Sequence, residues 1–198
     1  MNFLVRKILG KYFTSDQWAN FIVKETAESG RKVFDDSQFQ ELAKVKYLDK
    51  EEQNRIFNEI QVTGIVYSMI FTEQKRKYLN ENRANLWREV VEKIPEAFYI
   101  WLSELGIESK YIDIWKKLIN LRLREYQKGM IEMKNIFRKD LVDEPSERIK
   151  EFFYSLQTVA LGGALHIARG EIKSNDPLKK HMVAWIRALH TDLAKKIN

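Results

Sequence analysis

The chain has 198 residues, no cysteine, 44% hydrophobic and 31% charged residues, and a formal net charge of +6. The missing cysteines exclude disulfides, thiolate metal sites and cysteine nucleophiles, and the apolar content excludes a chain too polar to fold. The basic excess is spread along the whole sequence rather than gathered in one stripe, so mixed signs read as solvated helix faces and nucleic-acid binding is the minor reading.

Only three prolines and eight glycines punctuate the chain, which favours long helices over a sheet with many turns. The first segment, roughly 2–13, places Leu4, Val5, Ile8, Leu9 and Tyr12 on one face and carries Arg6, Lys7 and Lys11. Its basic residues break the apolar run of a secretion signal, so the expectation is a cytoplasmic protein. Thr14 with Gln17 forms a capping box that opens a second helix. Trp18, Phe21 and Ile22 form its inner face, and Gly30 stands as its stop. Asp35 and Gln38 suggest a third start.

Asp49 with Glu52 opens a helix expected to reach about Leu79. Its middle, 60-IQVTGIVYSMIF-71, is apolar almost all round, and a helix without a polar face is normally buried on every side. This is the expected central helix. From about Asn82, Trp87, Val91, Ile94, Phe98, Trp101 and Leu102 follow helical spacing, with a break or kink expected at Pro95 and an end at Gly106. The segment 109–139 has the clearest period, from Ile112, Trp115 and Ile119 to Met133 and Phe137, and would be ~45 Å long. Beside that stripe runs a second one, with Tyr111, Ile114, Leu118, Leu121 and Ile136. Pro145 suits a first helical position for a helix over 145–172, and Asp176-Pro177 opens the last helix. No period-2 alternation competes. The fold expectation is all-α: a single domain over 1–198, a bundle of six to eight helices around a buried central one. Residues 1–47 are either part of it or a semi-independent N-terminal helical lobe.

The stretch 161-LGGALHIARG-170 holds two adjacent glycines within a helix, each costing about 1 kcal/mol against alanine. Phe152, Leu156, Val159, Gly163, His166 and Gly170 share one inward stripe, so the glycines leave a gap beside it. A close helix crossing is the usual cause of such a gap. A pocket is the other, with His166, Gly162 and Gly163 as candidate ligand-binding residues. The polar residues of buried runs, Tyr67, Ser68 and Gln61 on the central helix and Gln157 ahead of the glycines, would join that pocket if they converged on it.

No catalytic constellation emerges. Serine-nucleophile motifs, phosphate-cradling glycine loops and dinucleotide fingerprints are missing. The paired acids Asp35-Asp36 and Glu51-Glu52 sit at helix starts, where the helix dipole explains them. His181 and His190 point to nearly opposite faces of one helix, so no metal site and no cofactor is expected. No apolar run reaches the ~18 residues of a membrane span. The functional expectation is a non-enzymatic helical protein that works through protein–protein contacts, self-associating as a homodimer through the second stripe of 109–139 or binding another protein. The alternatives are a small-ligand-binding or enzymatic bundle with its pocket near His166, and weak nucleic-acid binding through dispersed basic residues such as 75-KRK-77.

Overall fold

A computed structural model of the chain describes residues 13–137, 146–170, 172–173 and 175–197. The expected first helix, apart from Phe13, and Pro145 lie outside the described residues. Among these are seven α-helices and no strand: α1 (Ser15–Asp35), α2 (Ser37–Leu42), α3 (Lys50–Arg76), α4 (Glu81–Glu104), α5 (Ser109–Phe137), α6 (Glu147–Ala168) and α7 (Pro177–Lys196). A short 3-10 turn, Val45–Tyr47, links α2 to α3.

Local signals set most helix ends. Thr14 caps α1 through both halves of the capping box, and Asp49 accepts from the Glu52 amide at 2.8 Å to open α3. Each cap satisfies amides that the helix itself leaves without partners. Gly106 adopts a positive φ of 83°. This lets its N–H reach Ser103 O and the Ile107 N–H reach Leu102 O, the paired bonds of a glycine-terminated helix. Three expectations need correction. Gly30 does not end α1; it lies buried inside the helix, against the Gln61 side chain of α3. The third start uses Asp36, which accepts from the Phe39 amide at 2.8 Å, rather than Asp35. Pro95 does not break α4, which continues through it. Proline removes one backbone bond, while Ile94, Phe98 and Leu102, all buried, hold the helix on the core on both sides of it.

The architecture is a ring of five helices around a sixth. The ring runs α1, α4, α5, α6, α7 and back to α1, and each of the five also packs on α3. Residues Glu59 to Thr72 of α3 are buried without interruption, as an all-round apolar helix requires. One core joins Trp18 and Ile22 of α1 to Ile65 and Val66 of α3, Phe98 of α4, Ile119 of α5, Val159 of α6 and Leu189 of α7. Residues 13–47 therefore share the core of the rest.

Close approach is obtained with small residues. A Cβ added to Gly129 of α5 would stand 2.6 Å from Thr158 of α6, and one added to Gly64 of α3 would stand 2.9 Å from Thr26 of α1. No helix of the described residues is long and apolar enough to cross a membrane.

Candidate functional site

The two glycines of α6 face filled space. The Tyr126 ring of α5 occupies the room beside Gly162, and Met182 Cε and Thr63 Cγ2 would lie 2.9 and 3.0 Å from a Cβ on Gly163. Tyr126 is buried, with its hydroxyl 3.3 Å from Thr63 Oγ1. Side chains of three neighbouring helices thus take up the gap. Gly170 lies beyond the end of α6, which stops at Ala168.

His166 sits at the edge of this crossing, with its side chain 27% exposed and Nε2 3.0 Å from Glu125 Oε2. That carboxylate belongs to a chain of charges. Arg122 reaches Glu125 at 2.9 Å and holds Glu59 through two bonds, Nη2 to Oε1 at 2.8 Å and Nε to Oε2 at 3.2 Å. Glu59 and Arg122 are both buried. Burial disfavours the Arg122 charge, but Glu59 and then Glu125 outweigh it and raise the guanidinium pKa. On the other side of His166, Arg55 donates to the carbonyls of His166 and Ile167 at 2.7 and 2.9 Å. A cation here satisfies the open carbonyls and negative end of α6.

The remaining sequence candidates do not gather at His166. Ser68 pairs with Thr26 across the α1–α3 contact at 2.7 Å. Gln61 donates to Ala27 O at 3.3 Å, while its Oε1, like Thr158 Oγ1, has no hydrogen-bond partner among the described residues. Gln157 is half-buried on α6. Tyr67 turns instead to α7, where its hydroxyl meets His190 Nδ1 at 2.8 Å.

His190 opens onto a cavity of about 200 Å³ that sequence reasoning did not find. The lining comes from the end of α3 (Phe71, Gln74, Lys75, with Tyr78 just beyond), the start of α6 (Arg148, Ile149, Glu151, Phe152) and α7 (His190, Ala194). The imidazole is packed against Phe152 and Phe71, with ring centroids 4.2 and 4.9 Å away. Burial, and then the charge of Arg148, hold its pKa down at about 4. It is therefore neutral at pH 7. Tyr67 is 1% exposed, and burial raises the pKa of its hydroxyl. With Nδ1 as its one partner among the described residues, the hydroxyl must donate there, because the reverse tautomer would strand a buried O–H. The imidazole proton then sits on Nε2, leaving an N–H donor on the ring.

Lys75 stands in the cavity wall, donating to Ile197 O at 2.5 Å and lying 5.0 Å from the Trp87 ring centroid. Burial, with the nearby charges of Arg83 and Arg148, lowers its pKa to about 8. The rest of the KRK run is engaged too, Arg76 with Glu73 at 2.5 Å and Lys77 with Glu151 at 2.8 Å. The sequence signal for this site was thin. His190 falls four residues after Ile186 and three before Leu193, on the buried side of α7, while Lys75 and Arg148 look like ordinary surface charges.

Among the described residues, no group of three or more His, Asp or Glu side chains is placed to hold a metal ion. His181 sits apart, 3.7 Å from Asp36. Compared with known protein families, curated proteins and solved structures, the chain matches none.

Proposed function

We propose that this protein is a docking module whose α5 seam receives an acidic amphipathic helix of a partner protein. The observation that carries this reading is an apolar row left largely exposed among the described residues, with Leu118 packed on the core and cations along one border. Tyr111, Ile114 and Leu121 are 48%, 58% and 50% exposed, and Leu118 between them is half-buried. With Ile107 just ahead of the helix, their spacing is 4, 3, 4 and 3, the period of a helix-pairing seam. The border residues are Lys110, Lys117 and Arg124, seven apart. Lys110 and Lys117 each stand one position ahead of a seam residue, Arg124 continues the row one turn past Leu121, and Lys110 also pairs with the exposed Glu108 at 2.8 Å. On the opposite border Trp115 and Arg122 turn into the protein's own core.

Charge selects among occupants. Two copies paired through this seam in antiparallel fashion would bring Lys117 towards Lys117 and Lys110 towards Arg124. Like charges at such flanking positions oppose pairing. An incoming helix with apolar seam residues and Glu or Asp on its flank meets the same row favourably. A nucleic acid would engage the cations but leave Ile114 and Leu121 uncovered. On this reading the occupant is a different protein, and the homodimer that the sequence led us to expect is an outcome of the test.

The test is sedimentation of the protein alone, and with a synthetic amphipathic helix carrying Leu along its seam and Glu on its flanks. A single monomeric species at all concentrations, a one-to-one complex with the peptide, and loss of that complex in Ile114→Glu/Leu121→Glu are expected. Concentration-dependent dimers abolished by the same variant would make a second copy the occupant and overturn the proposal. So would a peptide that does not bind.

A further inference from the structure

The cavity beside His190 is independent of the α5 seam and has the chemistry of a ligand site. Its walls divide by character. Phe71, Ile149, Phe152 and Ala194 supply apolar surface, and the charges at the cavity are Lys75, Arg148 and Glu151. The acid among the described lining residues is already engaged: Glu151 accepts from Lys77 at 2.8 Å and from the Tyr78 hydroxyl at 3.3 Å. Arg83, at the start of α4, adds a further positive charge close enough to act on Lys75. Among the described residues the charges at the cavity are therefore positive in excess, and a low-dielectric wall strengthens that field. Arg148 makes no hydrogen bond or ion pair among the described residues; its guanidinium lies 5.8 Å from the Tyr78 ring centroid.

We propose that this cavity binds a small organic carboxylate with an apolar body about the size of one aromatic ring, its acid group held by Arg148 and by the Nε2–H of His190. Arginine offers two parallel donors that match the two oxygens of a carboxylate. The imidazole, fixed by Tyr67 through Nδ1, adds a third donor of neutral character. The volume of about 200 Å³ falls below the roughly 300–1,000 Å³ of pockets that enclose drug-sized ligands, which limits the ligand to about one ring. Phe71 and Phe152 give the ring its faces. Inorganic phosphate, though anionic, has no part that could cover these apolar walls.

Calorimetric titration with benzoate and phenylacetate tests the assignment, with benzyl alcohol and inorganic phosphate as controls at constant ionic strength. Both carboxylates should bind and raise the melting temperature. Benzyl alcohol and phosphate should bind at least about tenfold more weakly, a difference of about 1.4 kcal/mol. Arg148→Met, at an exposed position that does not hold the core, should lose the same factor while melting as the parent does. His190→Gln should weaken binding and retain the fold, and Ala194→Phe should abolish binding by filling the space. Benzyl alcohol binding as tightly as benzoate, affinity unchanged in Arg148→Met, or no binding by either acid would overturn the proposal.

Discussion

Tyr126 of α5 lies against Gly162 of α6 so closely that a Cβ on the glycine would overlap its ring. The contact fixes how near the two helices stand. Tyr126 cannot easily move aside, because it is buried and its hydroxyl meets Thr63 at 3.3 Å. Gly162→Ala gains helix propensity, worth about 1 kcal/mol, but overpacks the crossing, which typically costs about 1–3 kcal/mol. A net loss of stability and a lower melting temperature are expected. A melting temperature above the parent's would show that the two helices can separate at little cost.

One turn earlier on α6, the methyl group of Thr158 packs on Gly129 while its buried hydroxyl has no hydrogen-bond partner among the described residues. Valine keeps the shape and removes the polar atom. Since an unsatisfied buried group costs about 1–3 kcal/mol, Thr158→Val should stabilise the protein in urea denaturation. A destabilised variant would mean that the hydroxyl has found a partner in solution.

The Glu59–Arg122 pair makes the opposite prediction. Both side chains are under 10% exposed, so removing one charge leaves the other buried. Arg122→Met, which strands the Glu59 carboxylate, should cost about 3–5 kcal/mol, whereas Glu59→Leu/Arg122→Met, which removes both charges, should cost much less. Denaturation of the two variants side by side checks this. Equal losses would place the stabilising effect in packing rather than in charge.

How much of this could be read beforehand depended on whether the cause was local. The capping box at Thr14, the Asp49 side-chain cap and the apolar run through Ile60–Phe71 act within one helix, and they correctly placed α1, α3 and the buried centre. The Glu52 half of the box expected at Asp49 is replaced by bonds to Arg55 and Arg169. Gly30 misled because its reason lies across the bundle, in the close approach of Gln61 from α3. Tyr67 and His190 lie 123 residues apart, so their meeting depends on the order of helices around the ring. The same holds for the cavity, whose residues come from three elements. On α5 the second apolar stripe was visible as a pattern, but only the packing of Trp115 and Arg122 assigns one side of it to the core and the other to solvent.

His190 adds a pH dependence. Its pKa is about 4 in the fold and near 6.5 in the unfolded chain. Between those values the unfolded state binds more protons, so stability rises with pH. The contribution is complete above about pH 6.5 and is lost as pH falls towards 4. His190→Gln should flatten this part of the stability profile relative to the parent, as followed by denaturation at fixed ionic strength. Parallel profiles would show that the imidazole titrates in the fold as it does in water.

The most direct measurement of the central claim compares two peptides that share a leucine seam and differ only in carrying glutamate or lysine on their flanks. Each is titrated into the full chain at low and at high salt. The row of Lys110, Lys117 and Arg124 predicts tighter binding of the glutamate peptide, an advantage that shrinks as salt screens the charges, and loss of binding in Ile114→Glu/Leu121→Glu. Equal affinity for the two peptides, or binding that survives the seam variant, would contradict the assignment of α5 as a docking surface for an acidic helix.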